Sequence, residues 1–500
     1  MDTHLSPSGR LVVVSNRLPV VLAKDVDGTW VTRTGSGGLV TALLPVLRHR
    51  GGIWIGWSGV NEVAGVDEAL ERATDDTGYT LKGVALNTEE VNKFYLGFSN
   101  EIIWPLFHDL QSLCNFDPAY WRTYCEVNRR YAKILADNSC KDDFIWVHDY
   151  HLMNVAAELR LTQSRAHIAF FLHIPFPPLD IFVKLPWRFN LLRALLEYDL
   201  IGFQTLRDQR NFEQCVRTLM DEVCVSGQGQ VLSLRVGDRV LRMGSFPIGI
   251  DSNAFEKHAI DPEVGAMAEL LNSQLSNRQL ILGVDRLDYT KGLPLRLEAL
   301  RNALQRYPEL HQRITLIQVV IPSREDIPQY FDLKMRIERL VGEINGQFTR
   351  PGGWVPIHYV FRNLTRVELL AYYRAAHIAL VTPLKDGMNL VAKEYCACSV
   401  EEDSVLILSE FAGAAAQLQN DALLVNPYDI EGVADAIYHA YNMDVTERYA
   451  RMRRLRTTIR EQDIFWWVDA YLRAAFATDL SAFPLPEDFV PHDDFAGIPY

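Results

Sequence analysis

The chain has 500 residues, 48% of them hydrophobic, and a formal net charge of −13. That length exceeds one compact core, so two or more domains are expected. The acidic balance excludes a general nucleic-acid binder or a polybasic membrane anchor, and any anionic substrate must then be met by a local cluster of cations.

The first element is the β-branched run 11–14, a buried strand that ends in polar residues and presents Arg17 at its carboxyl end. Residues 25–29 contain D-x-D-G-T, a phosphatase signature, but Asp27-Gly28 between two apolar runs reads as a hairpin turn. Gly35-Ser36-Gly37-Gly38 follows at once and opens a helix, leaving no room for the helix a phosphatase nucleophile needs. Paired glycines at a helix start let a ligand approach the backbone amides. Aromatics then cluster at Trp54, Trp57, Phe94, Tyr95, Phe98, Trp104 and Phe107; most read as core, and Tyr95 and Trp104 could form a sugar-stacking wall.

Two further buried-type strands end in polar residues: 144–147 before His148-Asp149-Tyr150-His151, and 168–172 before His173. Their spacing fits hydrogen-bonding roles better than metal ligation. The run 200–203 closes this strand series, and Pro247 with Gly249 marks a crossing to a second one. There the strand 280–284 leads to Arg286 and Lys291, and the strand 314–320 leads to Arg324. With Arg17, these are more cations at strand ends than chance would place in so acidic a chain. Thr365 and Glu368 form a capping box for a helix to about Arg374.

The apolar run 378–381 then stops at Thr382-Pro383, Asp386-Gly387 turns the chain, and a helix begins near Asn389. Asp386 and Glu394 could grip two parts of one elongated, hydroxyl-rich ligand, with free helix amides beside them. Cys396 and Cys398 form a bare C-x-C, read as core; seven cysteines in all, an odd number without a framework, fit reduced thiols in the cytoplasm. Strands 405–409 and 423–427, helices 431–441 and 465–477, and an irregular tail complete the chain. No spanning or targeting segment is visible.

Two strand-helix alternations of similar size imply an α/β protein of two doubly wound domains facing across a cleft. The expected bounds are 1–247 for the first domain and 248–464 for the second. A helix at 465–480 would pack back on the first, and 481–500 would form the tail.

Seven ordered motifs make the likeness specific: Val-Val-Val-Ser-Asn-Arg-Leu-Pro at 12–19, Gly-Gly-Leu-Val at 37–40, Gly-Trp-Ser-Gly at 56–59, His-Asp-Tyr-His-Leu at 148–152, Phe-Leu-His-Ile-Pro-Phe-Pro at 171–177, Arg-Leu-Asp-Tyr-Thr-Lys-Gly at 286–292 and Asp-Gly-Met-Asn-Leu-Val-Ala-Lys-Glu at 386–394. The chain resembles the trehalose-6-phosphate synthase family, retaining glycosyltransferases of the two-Rossmann-domain GT-B fold. The resemblance implies that Arg17, Tyr95, Asp149 and Arg324 hold a glucose 6-phosphate acceptor, the arginines on its phosphate, with Trp104 lining that pocket. It gives Gly37 and Gly38 a close approach to the donor diphosphate, and Leu364 a backbone contact to the base. Asp386, Gly387, Met388, Asn389, Leu390 and Val391 would hold the donor glucose, and Glu394 the ribose hydroxyls. The catalytic set so implied is Arg286 and Lys291, neutralising the leaving diphosphate, with His173 near the reacting carbon and Asp386.

No general base, metal or cofactor is expected beyond the nucleotide-glucose co-substrate, and neither nucleic acid nor membrane is a partner; a homo-oligomer is compatible with this. Lys385 departs from the arginine most common in the family, and the hairpin before Gly35 is longer than in some members. No phosphatase domain follows, so the product would leave still phosphorylated. A glucosylglycerol-phosphate synthase and a non-catalytic regulatory homologue are the alternatives; the second predicts broken donor residues, and these are intact. An oxidoreductase would need a G-x-G-x-x-G after a strand. The nucleotide preferred among UDP, GDP and ADP is not readable.

Overall fold

The computed structural model describes residues 9–25, 29–35, 40, 43–44, 47, 51–61, 65–221, 223–227, 229–275, 278–324, 327–350, 353–477, 480, 483 and 488–489. They fall into two compact units. One holds the described chain up to Ile248 together with the segment from Ile464; the other holds Gly249–Asp463 with residues 488–489.

In the first unit, β1 (Leu11–Arg17) lies between β4 (Ile53–Trp57) and β6 (Phe144–His148), parallel to both. Val12, Val13 and Val14 are fully buried, as an uninterrupted apolar run in a parallel sheet should be. With β5 (Thr80–Val84), β7 (His167–Phe171), β8 (Leu200–Phe203), β9 (Val223–Ser226), β10 (Val231–Val236) and β11 (Arg239–Ser245), the sheet order is β5-β4-β1-β6-β7-β8-β11-β10-β9. The strand series therefore does not close at 200–203, as expected from sequence. β11 adds to β8 in parallel, and β10 and β9 fold back antiparallel. β9 and β10 alternate polar and apolar residues on a half-exposed edge, so they carry no continuous apolar run.

The 20–34 segment is a hairpin: β2 (Val20–Lys24) pairs antiparallel with β3 (Trp30–Thr34), from Val20 opposite Thr34 to Lys24 opposite Trp30. Its tip at 26–28 lies outside the described residues, as do Gly37 and Gly38. Tyr95 sits on a thirteen-residue π-helix, Val91–Ile103, whose wide spacing the sequence pattern did not reveal.

The helix Ile464–Phe476 seals the sheet. Tyr471 stacks on Trp146 with centroids 4.5 Å apart and 7° between planes, and Trp467 stacks on the same ring at 4.9 Å. The Tyr471 hydroxyl donates to Phe170 O at 2.8 Å and the Trp467 indole to Phe246 O at 3.0 Å. A Cβ on Gly202 would come within 2.6 Å of the Phe171 and Tyr471 rings, so this packing requires glycine there. Each buried aromatic contributes about 2–3 kcal/mol of apolar burial, which makes this helix an integral layer of the unit.

The second unit carries a six-stranded, wholly parallel sheet of β12 (Gln279–Arg286), β13 (Ile314–Ile321), β14 (Ile357–Phe361), β15 (Ile378–Val381), β16 (Val405–Ser409) and β17 (Leu423–Val425). Its order is β14-β13-β12-β15-β16-β17, the doubly wound 3-2-1-4-5-6 arrangement. The helix Arg366–Ala375 starts at the expected capping box: the Glu368 amide donates to Thr365 Oγ1 at 3.2 Å, and the Thr365 amide to Glu368 Oε2 at 2.8 Å. Sequence reading passed over the helices Pro328–Phe348 and Val445–Glu461. In the latter, only Met452, Leu455, Arg456 and Ile459 are buried, a stripe too narrow to stand out among its arginines. Among the described residues no helix is long and apolar enough to cross a membrane.

Candidate active site

In an open parallel sheet, ligands bind beyond the carboxyl ends of the strands at the point where the strand order reverses. Each sheet has one such point: between β1 and β6 in the first unit, and between β12 and β15 in the second. Arg17 and Asp149 lie at or just after the ends of the strands that flank the first place, and Arg286 and Asp386 those that flank the second.

At the first switch point Arg17, exposed at the end of β1, lies over the Trp57 ring with its guanidinium carbon 4.2 Å from the centroid and 5.7 Å from that of Tyr95. Gly59, at φ 88°, leaves it room, since a Cβ there would fall 2.5 Å from Arg17 Nη1. Tyr95 stacks in turn on His151, 5.8 Å away and 16° from parallel. Trp104 is buried against His108 and Tyr150, its ring 4.3 and 5.8 Å from theirs, with 6% of its surface exposed. Asp149 turns the chain after β6 at φ 74° and ψ 165°, a backbone region that costs a non-glycine residue about 1–3 kcal/mol. Its amide donates to Phe171 O at 2.8 Å, and its Oδ1 accepts from the His173 amide at 3.3 Å.

The His173 ring is fixed by a relay that sequence reading did not find. Gln204 Oε1 accepts from the Ile248 amide at 3.0 Å, which turns the Gln204 amino group toward His173 Nδ1 at 3.2 Å. Nδ1 then accepts, the proton sits on Nε2, and Nε2–H donates to His148 Nδ1 at 3.1 Å. Burial pulls His173 down to about 3 and holds His148 well below its usual range, so both rings are neutral at neutral pH. With both ring nitrogens committed, His173 cannot exchange a proton with substrate unless the relay breaks.

At the second switch point three predicted cations share one carboxylate. Arg286 ends β12, Lys291 lies in the short turn Tyr289–Lys291, and Arg324 follows β13 at φ 50°. Burial alone would raise the Asp288 carboxyl, but Arg324, Lys291 and Arg286 outweigh it and hold it below the usual range. Arg324 is 3.6 Å from Asp288 and donates to the Tyr330 hydroxyl at 2.7 Å; Tyr330 completes the triangle to Asp288 at 3.4 Å. Lys291 Nζ donates to Asp386 Oδ2 at 2.5 Å, and Asn389 Nδ2 reaches the same oxygen at 3.1 Å.

The Lys291 turn is braced from below by Arg296, which is fully buried. It pairs with Asp285 and donates to Thr382 Oγ1 at 2.9 Å and Gln318 Oε1 at 3.1 Å, linking β12, β13 and the end of β15. Gly292, at φ 67°, brings the turn against Thr382 O, 2.5 Å from where a Cβ would stand.

The Asp386–Glu394 stretch forms as read. Asn389, at φ 76°, caps the helix Leu390–Cys398 through Ala392 N–H at 3.2 Å. The 386–388 backbone is pinned by Gly413 N to Asp386 O at 3.1 Å and Ala414 N to Met388 O at 2.8 Å. Glu394 accepts from the Tyr373 hydroxyl at 2.9 Å, and burial raises its carboxyl above the usual range. Leu364 stands half-buried in the loop after β14. Cys396 and Cys398 are buried in the helix. Among the described residues no group of three or more metal-ligating side chains converges.

Two doubly wound sheets, each with polar machinery at its switch point, define a GT-B glycosyltransferase. The model of glycosyltransferase family 20 matches residues 9–476. A trehalose-6-phosphate synthase of Mycolicibacterium gilvum is 42% identical over 474 residues, 94% of each chain. The structure of a UDP-forming α,α-trehalose-phosphate synthase from Burkholderia xenovorans in complex with glucose-6-phosphate superposes with TM-score 0.83 at 35% identity, covering 93% of this chain and 100% of that one. An E. coli trehalose-6-phosphate structure bound with UDP-2-fluoro glucose gives 0.82 at 36%, covering 93% and 99%. The chain belongs to glycosyltransferase family 20 and is a hexosyltransferase of the trehalose-6-phosphate synthase type.

Proposed function

We propose that the enzyme moves glucose from UDP-glucose to glucose 6-phosphate with retention, giving α,α-trehalose 6-phosphate and UDP. The observation that carries the reading is the set of three cations around Asp288 beside Asp386. In the transfer the bond between the anomeric carbon and the diphosphate oxygen breaks, and a bond to the acceptor's anomeric hydroxyl forms. The hydroxyl proton passes to the leaving diphosphate. Positive charge grows on the sugar and negative charge on the diphosphate, so Arg286 and Lys291 act where charge develops and need no reorganisation. Asp386 and the 386–391 backbone hold the glucose, Glu394 the ribose. Arg17, Tyr95 and Asp149 receive the sugar phosphate, with Arg324 as a second phosphate contact. The committed ring of His173 supports a reaction without a protein general base. The ligands of the Burkholderia and E. coli structures support both substrate classes.

Purified enzyme given UDP-, GDP- or ADP-glucose, each with glucose 6-phosphate or glycerol 3-phosphate, tests the reading. Preferred UDP release with glucose 6-phosphate is expected; preference for glycerol 3-phosphate would replace the acceptor. Activity should also survive EDTA, because the cationic cluster does the work of a metal. Inhibition reversed by one divalent cation would overturn that part. The free cysteines fit the reducing cytoplasm as its location.

A further inference from the structure

At the opposite edge of the first sheet, where β7, β8 and β11 begin, the surface opens into a pocket of about 680 Å³. β7 separates it from the His173 edge by five residues, about 16 Å of strand. Four arginines line it, Arg160, Arg165, Arg239 and Arg242, against two carboxylates, Glu197 and Asp199. The local balance is thus two positive charges in a chain whose total is −13.

The carboxylates are already committed. Asp199 takes Arg160 at 2.8 Å, Arg239 at 2.9 Å and the Ile168 amide at 2.9 Å, and Glu197 pairs with Arg239. Arg242 faces carbonyls instead, donating to Ala474 O at 2.5 Å and Ala477 O at 2.6 Å, and burial lowers its pKa. Arg165 is exposed and makes no ion pair with a described residue. The buried Nδ1 of His167 has no hydrogen-bond partner among the described residues and stands 3.9 Å from Asp199. Arg165 also borders a second hollow of about 380 Å³ that adds Lys141 and the polar side chains Ser139, Thr162 and Gln163.

We propose that this paired hollow is a second ligand site for a small molecule with a phosphate group and a hydroxylated body, the phosphate held by Arg165 and Arg242. Two cations without carboxylate partners suit a phosphate dianion, and the volume suits a hexose phosphate. The site shares no residue with the transfer site proposed above, so its failure and the failure of that reading are separable.

The test uses the full chain carrying Arg17→Ala and Arg324→Ala, which removes the proposed acceptor phosphate contacts. Glucose 6-phosphate and inorganic phosphate are titrated by calorimetry and by their effect on Tm. Expected are one remaining site for glucose 6-phosphate, a raised Tm, and weaker binding of inorganic phosphate. Adding Arg165→Glu, an exposed position, should weaken that site at least tenfold while leaving the ligand-free Tm unchanged; Arg242→Gln is the second variant. Absence of binding, or binding indifferent to both substitutions, overturns the proposal. Equal binding of the two probes overturns the hydroxylated body and leaves a phosphate site.

Discussion

The two switch points have the same topology and hold their cations in opposite ways. Arg17 lies exposed on the faces of Trp57 and Tyr95, with no ion pair among the described residues. Lys291 and Arg324 are largely buried, with side chains 11% and 7% exposed, and each faces a carboxylate, while Arg286 at the end of β12 stays exposed. An uncommitted, stacked arginine keeps its charge for an incoming dianion, and its role is binding. Buried cations held by carboxylates cannot relax when charge develops, and fixed charge of that kind stabilises a transition state. Asp288 makes the second arrangement tolerable, because three like charges without a counter-charge would repel in a low dielectric. On the proposed reading the contrast ties kcat to Lys291 in the second unit, and the acceptor's KM to Arg17 in the first together with Arg324.

The sharpest way to break that assignment is Lys291→Ala. It should lower kcat/KM for UDP release at least about 100-fold, roughly 3 kcal/mol of transition-state stabilisation, with much of the loss in kcat. Lys291→Arg should recover little, because a longer planar fork replaces the compact ammonium held between the turn and Asp386 Oδ2. Unchanged turnover in Lys291→Ala would sink the leaving-group role. Asp288→Asn should cost about tenfold in kcat and lower Tm, since it removes the counter-charge but keeps the shape. An equal Tm and kcat would show that the cations hold their places unaided. Trp57→Leu should raise KM for the sugar phosphate about fivefold, with kcat within twofold, as a cation–π contact of about 1 kcal/mol predicts. A large fall in kcat instead would erase the distinction between the two units.

What was legible in the sequence follows the same division. A buried strand followed by a polar residue is a local signal, so Arg17, Asp149, His173, Arg286, Lys291, Arg324 and Asp386 could all be placed at strand ends from the sequence pattern. Asp288 was passed over because a carboxylate between two cations reads as an ordinary neutralised turn. Its meaning depends on Arg324, which arrives from the next strand. Gln204 was passed over because its role depends on the Ile248 amide, 44 residues away. The ribbon 223–245 escapes for a different reason: its short strands β9 and β10 lack the continuous apolar run by which the buried parallel strands are read. Tyr95 was picked out as an aromatic among polar neighbours, while its π-helical backbone has a repeat that a 3.6-residue template does not detect.

The smallest expected effect sharpens the comparison inside the second unit. Glu394 differs from Asp288 in that burial prevails over its partners: burial raises its carboxyl, and the Tyr373 hydroxyl, then the Arg366 charge, hold it down without reversing the shift. A folded-state pKa raised in this way means the carboxylate is protonated as pH falls through that higher value, and a protonated acid is the poorer acceptor for ribose hydroxyls. Tyr373→Phe removes the donor, so the carboxyl rises further. The loss of one hydrogen bond to a partly buried carboxylate is about 1 kcal/mol, or a fewfold weaker binding of UDP-glucose. The penalty should grow as pH is lowered, because the variant protonates earlier than the parent. Calorimetric titration with UDP-glucose at several pH values checks this. A penalty that is flat with pH would mean that Glu394 binds ribose in one protonation state throughout, and that the cations around Asp288, rather than a tuned acid, set the whole pH behaviour of the donor site.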